Sequence, residues 1–128
     1  MRTELMITVT DVQASSAWYC QLFGAEHDSD SEEFDRILRD GNLLLMLNQW
    51  GGDEHGPGAF ERGDGPSGHG LVLWFLVEDL DLVVSRAEEL DAELVREPHE
   101  NPLARWRQFS LRDPDGYTIT VAETGWEM

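Results

Sequence analysis

Two stretches of helical spacing, 68 positions apart, organise the chain. Val9-Thr10-Asp11-Val12 recurs as Val77-Glu78-Asp79-Leu80, and a periodic apolar run follows each. Val12, Ser15, Tyr19 and Leu22 fall on one helix face, as do Leu80, Val83, Ala87 and Leu90 in the second copy. Asp11 and Asp79 stand where an N-cap side chain accepts from the first turn. Gly24 suits a left-handed C-cap, while Asp91 is a weaker stop near the equivalent place.

Downstream of each helix the spacing changes to that of strands. Leu38-Arg39-Asp40-Gly41-Asn42 is echoed by Leu111-Arg112-Asp113-Pro114-Asp115-Gly116-Tyr117, and both read as strand, tight turn, strand. The entering strands are expected over Glu33 to Arg39 and Trp106 to Arg112, the leaving ones over Leu43 to Asn48 and Tyr117 to Glu123. Short strands near Ala25 to Asp28 and Ala92 to Arg96 complete each copy. The predicted fold is therefore α+β: two β-α-β-β-β modules forming a cupped mixed sheet around one small-molecule site. One domain is expected over residues 1–124, with module one at 1–48 and module two at 69–124. The connection at 49–68 holds seven glycines, two prolines and four acids. It reads as a linker, although Trp50 and Phe60 suggest that part of it packs over the site.

Composition narrows the functional classes. With 41% hydrophobic residues and five Trp, 128 residues suffice for a packed core. The single cysteine, Cys20, excludes an intrachain disulfide and suits a reducing compartment. No signal peptide or membrane span is evident, so a soluble cytoplasmic protein is expected. There are 26 acids against nine bases, all Arg, for a net charge of −17. That charge repels phosphate backbones and makes nucleic acid an unsuitable partner. It is either a solubility trait or a field that attracts a cationic ligand.

The order of elements, with Val9-Thr10-Asp11, the helix Ser15 to Gly24 and Arg107-Gln108-Phe109-Ser110-Leu111-Arg112-Asp113-Pro114-Asp115-Gly116, resembles the vicinal oxygen chelate superfamily. That group includes glyoxalase I, extradiol dioxygenases, fosfomycin-resistance enzymes and bleomycin-resistance proteins. The resemblance runs from about Glu4 to Glu123. Its enzymes hold a divalent metal at four pseudo-symmetric strand positions, which by counting from the motifs fall here on Glu4, Leu45, Val72 and Thr120. Only Glu4 is a strong ligand, so the resemblance implies no usual metal site, no cofactor and no catalytic residue. His55, in Asp53-Glu54-His55, suits an adventitious metal, while His27, His69 and His99 lack useful spacing. Cys20 sits mid-helix without a His partner and reads as packing. An acid on the concave face such as Glu4 suits a general base or a cation contact, with an exposed structural Glu as the plainer account.

Among metal-free relatives the chain resembles the bleomycin-resistance proteins, acidic homodimers that sequester an antibiotic without chemistry. The segment Pro102-Leu103-Ala104-Arg105-Trp106-Arg107-Gln108-Phe109 is similar to their groove strand. Strand alternation places Val72, Trp74 and Leu76 toward the cup, opposite Leu71, Leu73, Phe75 and Val77. By the same parity Trp106, Gln108 and Ser110 face the cup, and Arg107, Phe109 and Leu111 face away. Trp18 is assigned to core packing and Trp50 to closing over the opening. The expected ligand-binding set is Glu4, Thr8, Leu45, Trp50, Val72, Trp74, Trp106, Gln108, Ser110 and Thr120. The function implied is binding, and sequestration, of an aromatic small molecule, cationic if the charge is functional, by a homodimer. Two alternatives stand beside it: a glyoxalase-like or dioxygenase-like enzyme with an atypical metal site, and a regulatory or partner-binding domain with a vestigial pocket.

Overall fold

A computed structural model describes residues 1–51, 67–103 and 106–123. His55, Phe60, Ala104 and Arg105 lie outside the described residues. The chain divides into two compact units, Met1–Asp64 and Gly65–Met128. Among the described residues each carries one helix and one four-stranded mixed sheet.

In the first unit the order is β1 (Met6–Val9), α1 (Val12–Phe23), β2 (Glu26–His27), β3 (Phe34–Arg39) and β4 (Asn42–Gln49). Asp11 caps α1 by accepting from the Ala14 N–H at 3.0 Å, and Gly24 ends it in the left-handed region (φ 63°). The helix and cap positions expected from spacing are thus the ones that form. The sheet order is β1-β4-β3-β2, with β1 parallel to β4 and the other neighbours antiparallel. Ile7, Val9, Ile37, Leu45 and Leu47 are buried together with Val12, Tyr19, Leu22 and Phe23 of α1. This apolar interface is the main source of the unit's stability.

A carboxylate enters that interface. Asp35 lies on the helix-facing side of β3, 2% exposed, and accepts from Ser16 Oγ at 2.6 Å. Its other oxygen accepts from the Ser29 and Arg36 backbone N–H groups at 3.0 and 2.8 Å. His27 Nδ1 lies 3.0 Å from the carboxylate. Each lone pair so occupied offsets the cost of burying the charge. The Cys20 thiol is pushed up by burial and then by Asp35 and Glu26, which keeps it protonated and unreactive.

The second unit repeats the plan: β5 (Val72–Val77), α2 (Leu80–Glu89), β6 (Leu94–Asn101), β7 (Trp106–Arg112) and β8 (Thr118–Glu123). Its sheet order is β5-β8-β7-β6, with β5 parallel to β8. Asp79 accepts from the Leu82 N–H at 3.1 Å, and Leu80, Val83 and Ala87 form the buried face of α2. The helix stops earlier than α1, at Leu90, and Asp91 takes a left-handed conformation (φ 53°) in place of a glycine. Leu73, Val77, Phe109, Leu111, Ile119 and Val121 are buried on the helix side of the sheet. Leu71 departs from its expected place in this set: it precedes β5 and is exposed, because alternation constrains a side chain only once the ladder has begun. Gly68 (φ 71°) lies so close to Tyr117 that a Cβ would sit 2.4 Å from the ring, so no other residue fits there. β6 extends well past the Arg96 end expected for it, and its register shifts twice against β7.

The Asp35 cluster makes stability depend on pH. The Ser29 carbonyl, accepting from Nδ1–H, raises the His27 pKa above its usual 6.5; partial burial opposes this and Asp35 adds to it. A raised folded-state pKa stabilises fully below about pH 6.5, and that contribution is lost as pH rises through the folded value. A proton NMR titration should therefore give His27 a pKa above that of an unfolded-chain His. His27→Asn should flatten stability across that window; an unchanged slope would remove the coupling.

Candidate ligand-binding site

Pairing and alternation decide which side chains lie on the sheet faces opposite the helices. In the second unit Trp74 pairs in parallel register with Thr120, which pairs across the antiparallel ladder with Ser110. Paired residues share a face, so Val72, Trp74, Leu76, Thr120, Ser110, Gln108 and Trp106 lie together opposite α2. Arg107, on the other face, reaches Asp81 of α2 at 2.8 Å and Glu123 at 3.5 Å, which fixes the assignment. The expected parity of β5 and β7 is the observed one.

Trp74 and Trp106 come into contact edge to face, with ring centroids 5.7 Å apart and planes at 64°. Trp74 is 47% exposed, flanked on its strand by exposed Val72 and Leu76. Gln108 Oε1 accepts from Trp106 Nε1 at 2.6 Å and from Asn101 Nδ2 at 3.1 Å. These bonds fix the Trp106 ring and orient the Gln108 amide nitrogen as a donor. Ser110 and Thr120 hydroxyls bond each other at 2.9 Å. A hydrogen-bonded polar floor thus adjoins two aromatic walls, one of them half exposed. Asn101 was not anticipated, because nothing in the sequence marked β6 as reaching that far.

In the first unit Leu45 departs from its expected face. Leu45 is fully buried on the α1 side, paired with Ile37 and on the face of Leu47 and Ile7. It therefore does not line the face opposite the helix. Met6 pairs with Met46, as its repeat counterpart Trp74 pairs with Thr120, so Met46 occupies the position counted as Leu45. The cause is a register shift between Ile37 and Leu38: their partners are Leu45 and Leu43, and Leu44 is the extra residue. One added residue reverses the face of everything counted across it. Thr8 and Asn48 are register partners on the face opposite α1. Trp50 is held at the end of the ladder, its N–H donating to the Val9 carbonyl at 3.2 Å.

The donor set does not suit a divalent ion. Glu4 is exposed and paired with Arg2 at 2.6 Å, and Arg36, itself paired with Asp28, lies nearby. Met46 and Val72 offer a thioether and a hydrocarbon, and the Thr120 hydroxyl is bonded to Ser110. No group of three metal-binding side chains occurs among the described residues. No helix among them is long and apolar enough to cross a membrane.

Paired β-α-β-β-β units are the fold of glyoxalase-type proteins. A model of the Glyoxalase/Bleomycin resistance protein/Dioxygenase superfamily matches residues 3–121, and the chain belongs to that superfamily. Similar solved structures include a lactoylglutathione lyase from Agrobacterium tumefaciens, at 20% identity and TM-score 0.71, covering 100% of this chain and 97% of that one. TioX from Micromonospora sp. ML1 is similar at 17% identity and TM-score 0.72, covering 95% and 98%. A superfamily enzyme from Burkholderia phytofirmans PsJN is similar at 21% identity and TM-score 0.71, covering 94% and 95%. At such identities the likeness establishes the fold alone. No curated protein matches the sequence.

Elemental analysis of purified protein should find no stoichiometric Mn, Fe, Ni or Zn. About one tightly held metal per chain, released by Glu4→Ala, would overturn this.

Proposed function

We propose that the protein binds a planar aromatic small molecule without transforming it, and so sequesters it. The observation that carries this reading is the Trp74–Trp106 pair, standing on a sheet face with its polar floor already hydrogen-bonded. A large aromatic left half exposed beside Val72 and Leu76 loses burial energy unless something covers it. A flat π-system stacked on the rings recovers that energy, and Gln108 supplies directional selection. The enzymatic reading finds no support in the donor set, since no group of three metal-binding side chains occurs among the described residues. The net charge of −17 favours cationic ligands over neutral ones of the same shape.

The working form is proposed to be a homodimer in the cytoplasm. β5 and β6 are edge strands of their sheet, and Val72, Leu76, Leu94 and Val95 are exposed apolar residues upon them. Light scattering at micromolar concentration should give twice the chain mass, and a monomer mass would exclude the dimer.

Binding is tested with quinoline and the N-methylquinolinium cation, which share one ring system. Both should quench tryptophan fluorescence. Trp74→Ala or Trp106→Ala should weaken them about tenfold, equivalent to ~1.4 kcal/mol. The cation should bind tighter at low salt and lose that advantage near 1 M, where the Debye length is about 3 Å. Unchanged affinity in both variants would remove the aromatic site. Salt-independent parity of the two compounds would reduce the acidity to a solubility trait.

A further inference from the structure

The first unit contains a buried amide without a partner. Asn48 is 1% exposed, and neither its Oδ1 nor its Nδ2 has a hydrogen-bond partner. It follows the apolar run Leu43 to Leu47, where another leucine would have satisfied burial. Its register partners are Thr8 on β1 and Phe34 on β3, so it lies on the face opposite α1. Two residues on, the Trp50 Nε1–H is likewise buried and unpartnered. The Trp50 backbone bond to Val9 extends the ladder by one step, so alternation carries Trp50 to the same face as Asn48. Buried polar groups are almost always paired, because leaving one unpaired forfeits its bonds to water with nothing in return. Three such atoms at neighbouring positions point to a molecule that supplies the missing partners.

The chemistry of those partners follows from the atoms. Asn48 presents one acceptor and one donor side by side, and Trp50 adds a second donor. The edge complementary to Asn48 has an N–H next to a carbonyl: the N–H donates to Oδ1, and the carbonyl accepts from Nδ2. A carboxylate would satisfy the donors but not Oδ1, and it would enter a chain whose net charge of −17 repels anions. We propose that the face of the first unit around Asn48 and Trp50 selects ligands bearing a neutral cis-amide edge, as in a lactam, imide or cyclic urea. This rests on the reading of the protein as a small-molecule binder and names a ligand class for it. It does not depend on stacking at Trp74 and Trp106.

The test compares 2-quinolone, in its lactam form, with quinoline, which has the same rings without the N–H and carbonyl edge. In wild-type protein 2-quinolone should bind at least tenfold tighter by calorimetry. It should also shift the Asn48 side-chain NH2 resonances in 1H–15N spectra, where quinoline leaves them in place. In Asn48→Leu the tenfold preference should vanish. The wild-type spectra carry the test even if that variant fails to fold. Equal affinities with unmoved Asn48 resonances would overturn the inference and assign the amide to an internal water, leaving quinoline quenching at Trp74 and Trp106 intact. Failure of either quinoline or 2-quinolone to bind at all would overturn the inference together with the small-molecule reading.

Discussion

Each sheet must bury one face, and among the described residues each unit has one helix with which to do it. That constraint governs nearly every side chain discussed above. The first strand of each unit pairs in parallel with the last, β1 with β4 and β5 with β8, and the intervening helix covers one side of the sheet. Ile7, Leu47, Leu73 and Val121 are committed to the core by that covering, and their strand neighbours are committed to the opposite face by the two-residue period. The candidate site draws on the second set. In the second unit it includes Trp74, Trp106 and Gln108; in the first it includes Thr8, Met46 and Asn48.

The two faces are chemically unlike although the units share a plan. The second unit spends its polar groups on one another: Gln108 holds Trp106 and Asn101, and Ser110 holds Thr120. What remains exposed on that face is largely apolar: Val72, Trp74 and Leu76. The first unit places its satisfied polar cluster on the helix side instead, where Ser16, Ser29 and His27 surround Asp35. Its other face retains an amide and an indole N–H with no partner. The two repeats thus differ in where their polar groups are satisfied. Glu4 and Met46 of the first unit offer a carboxylate and a thioether, and Val72 and Thr120 of the second a hydrocarbon and a hydroxyl.

Much of this was legible in the sequence because it depends on local chemistry. Asp11 and Asp79 cap helices through bonds three residues away, and the Asp-Gly turns close hairpins between adjacent strands. The parity of Val72, Trp74, Trp106 and Gln108 followed from alternation alone, since no irregularity interrupts β5, or β7 where it pairs with β8. The repeat indicated the order of elements, and that order together with the Val9-Thr10-Asp11 and Asp113-Pro114-Asp115-Gly116 motifs carried the resemblance to the superfamily.

Other features were set only when distant segments met. The extra residue at Leu44 is a property of how β4 pairs with β3, and no local signal distinguishes it from its leucine neighbours; it moved Leu45 into the core and Met46 out of it. The Asp35 cluster joins α1, β3 and the segment after β2, so its partners have no fixed spacing along the chain. Asn101 reached Gln108 because β6 runs further than its residues advertise. Whether Asn48 is solvated or buried is decided by what covers its face. The sequence by itself determined the elements, their caps and the alternation within unbroken strands, which are short-range and periodic. Register, burial and polar satisfaction belong to the tertiary structure, because each depends on pairs of residues that only folding brings together.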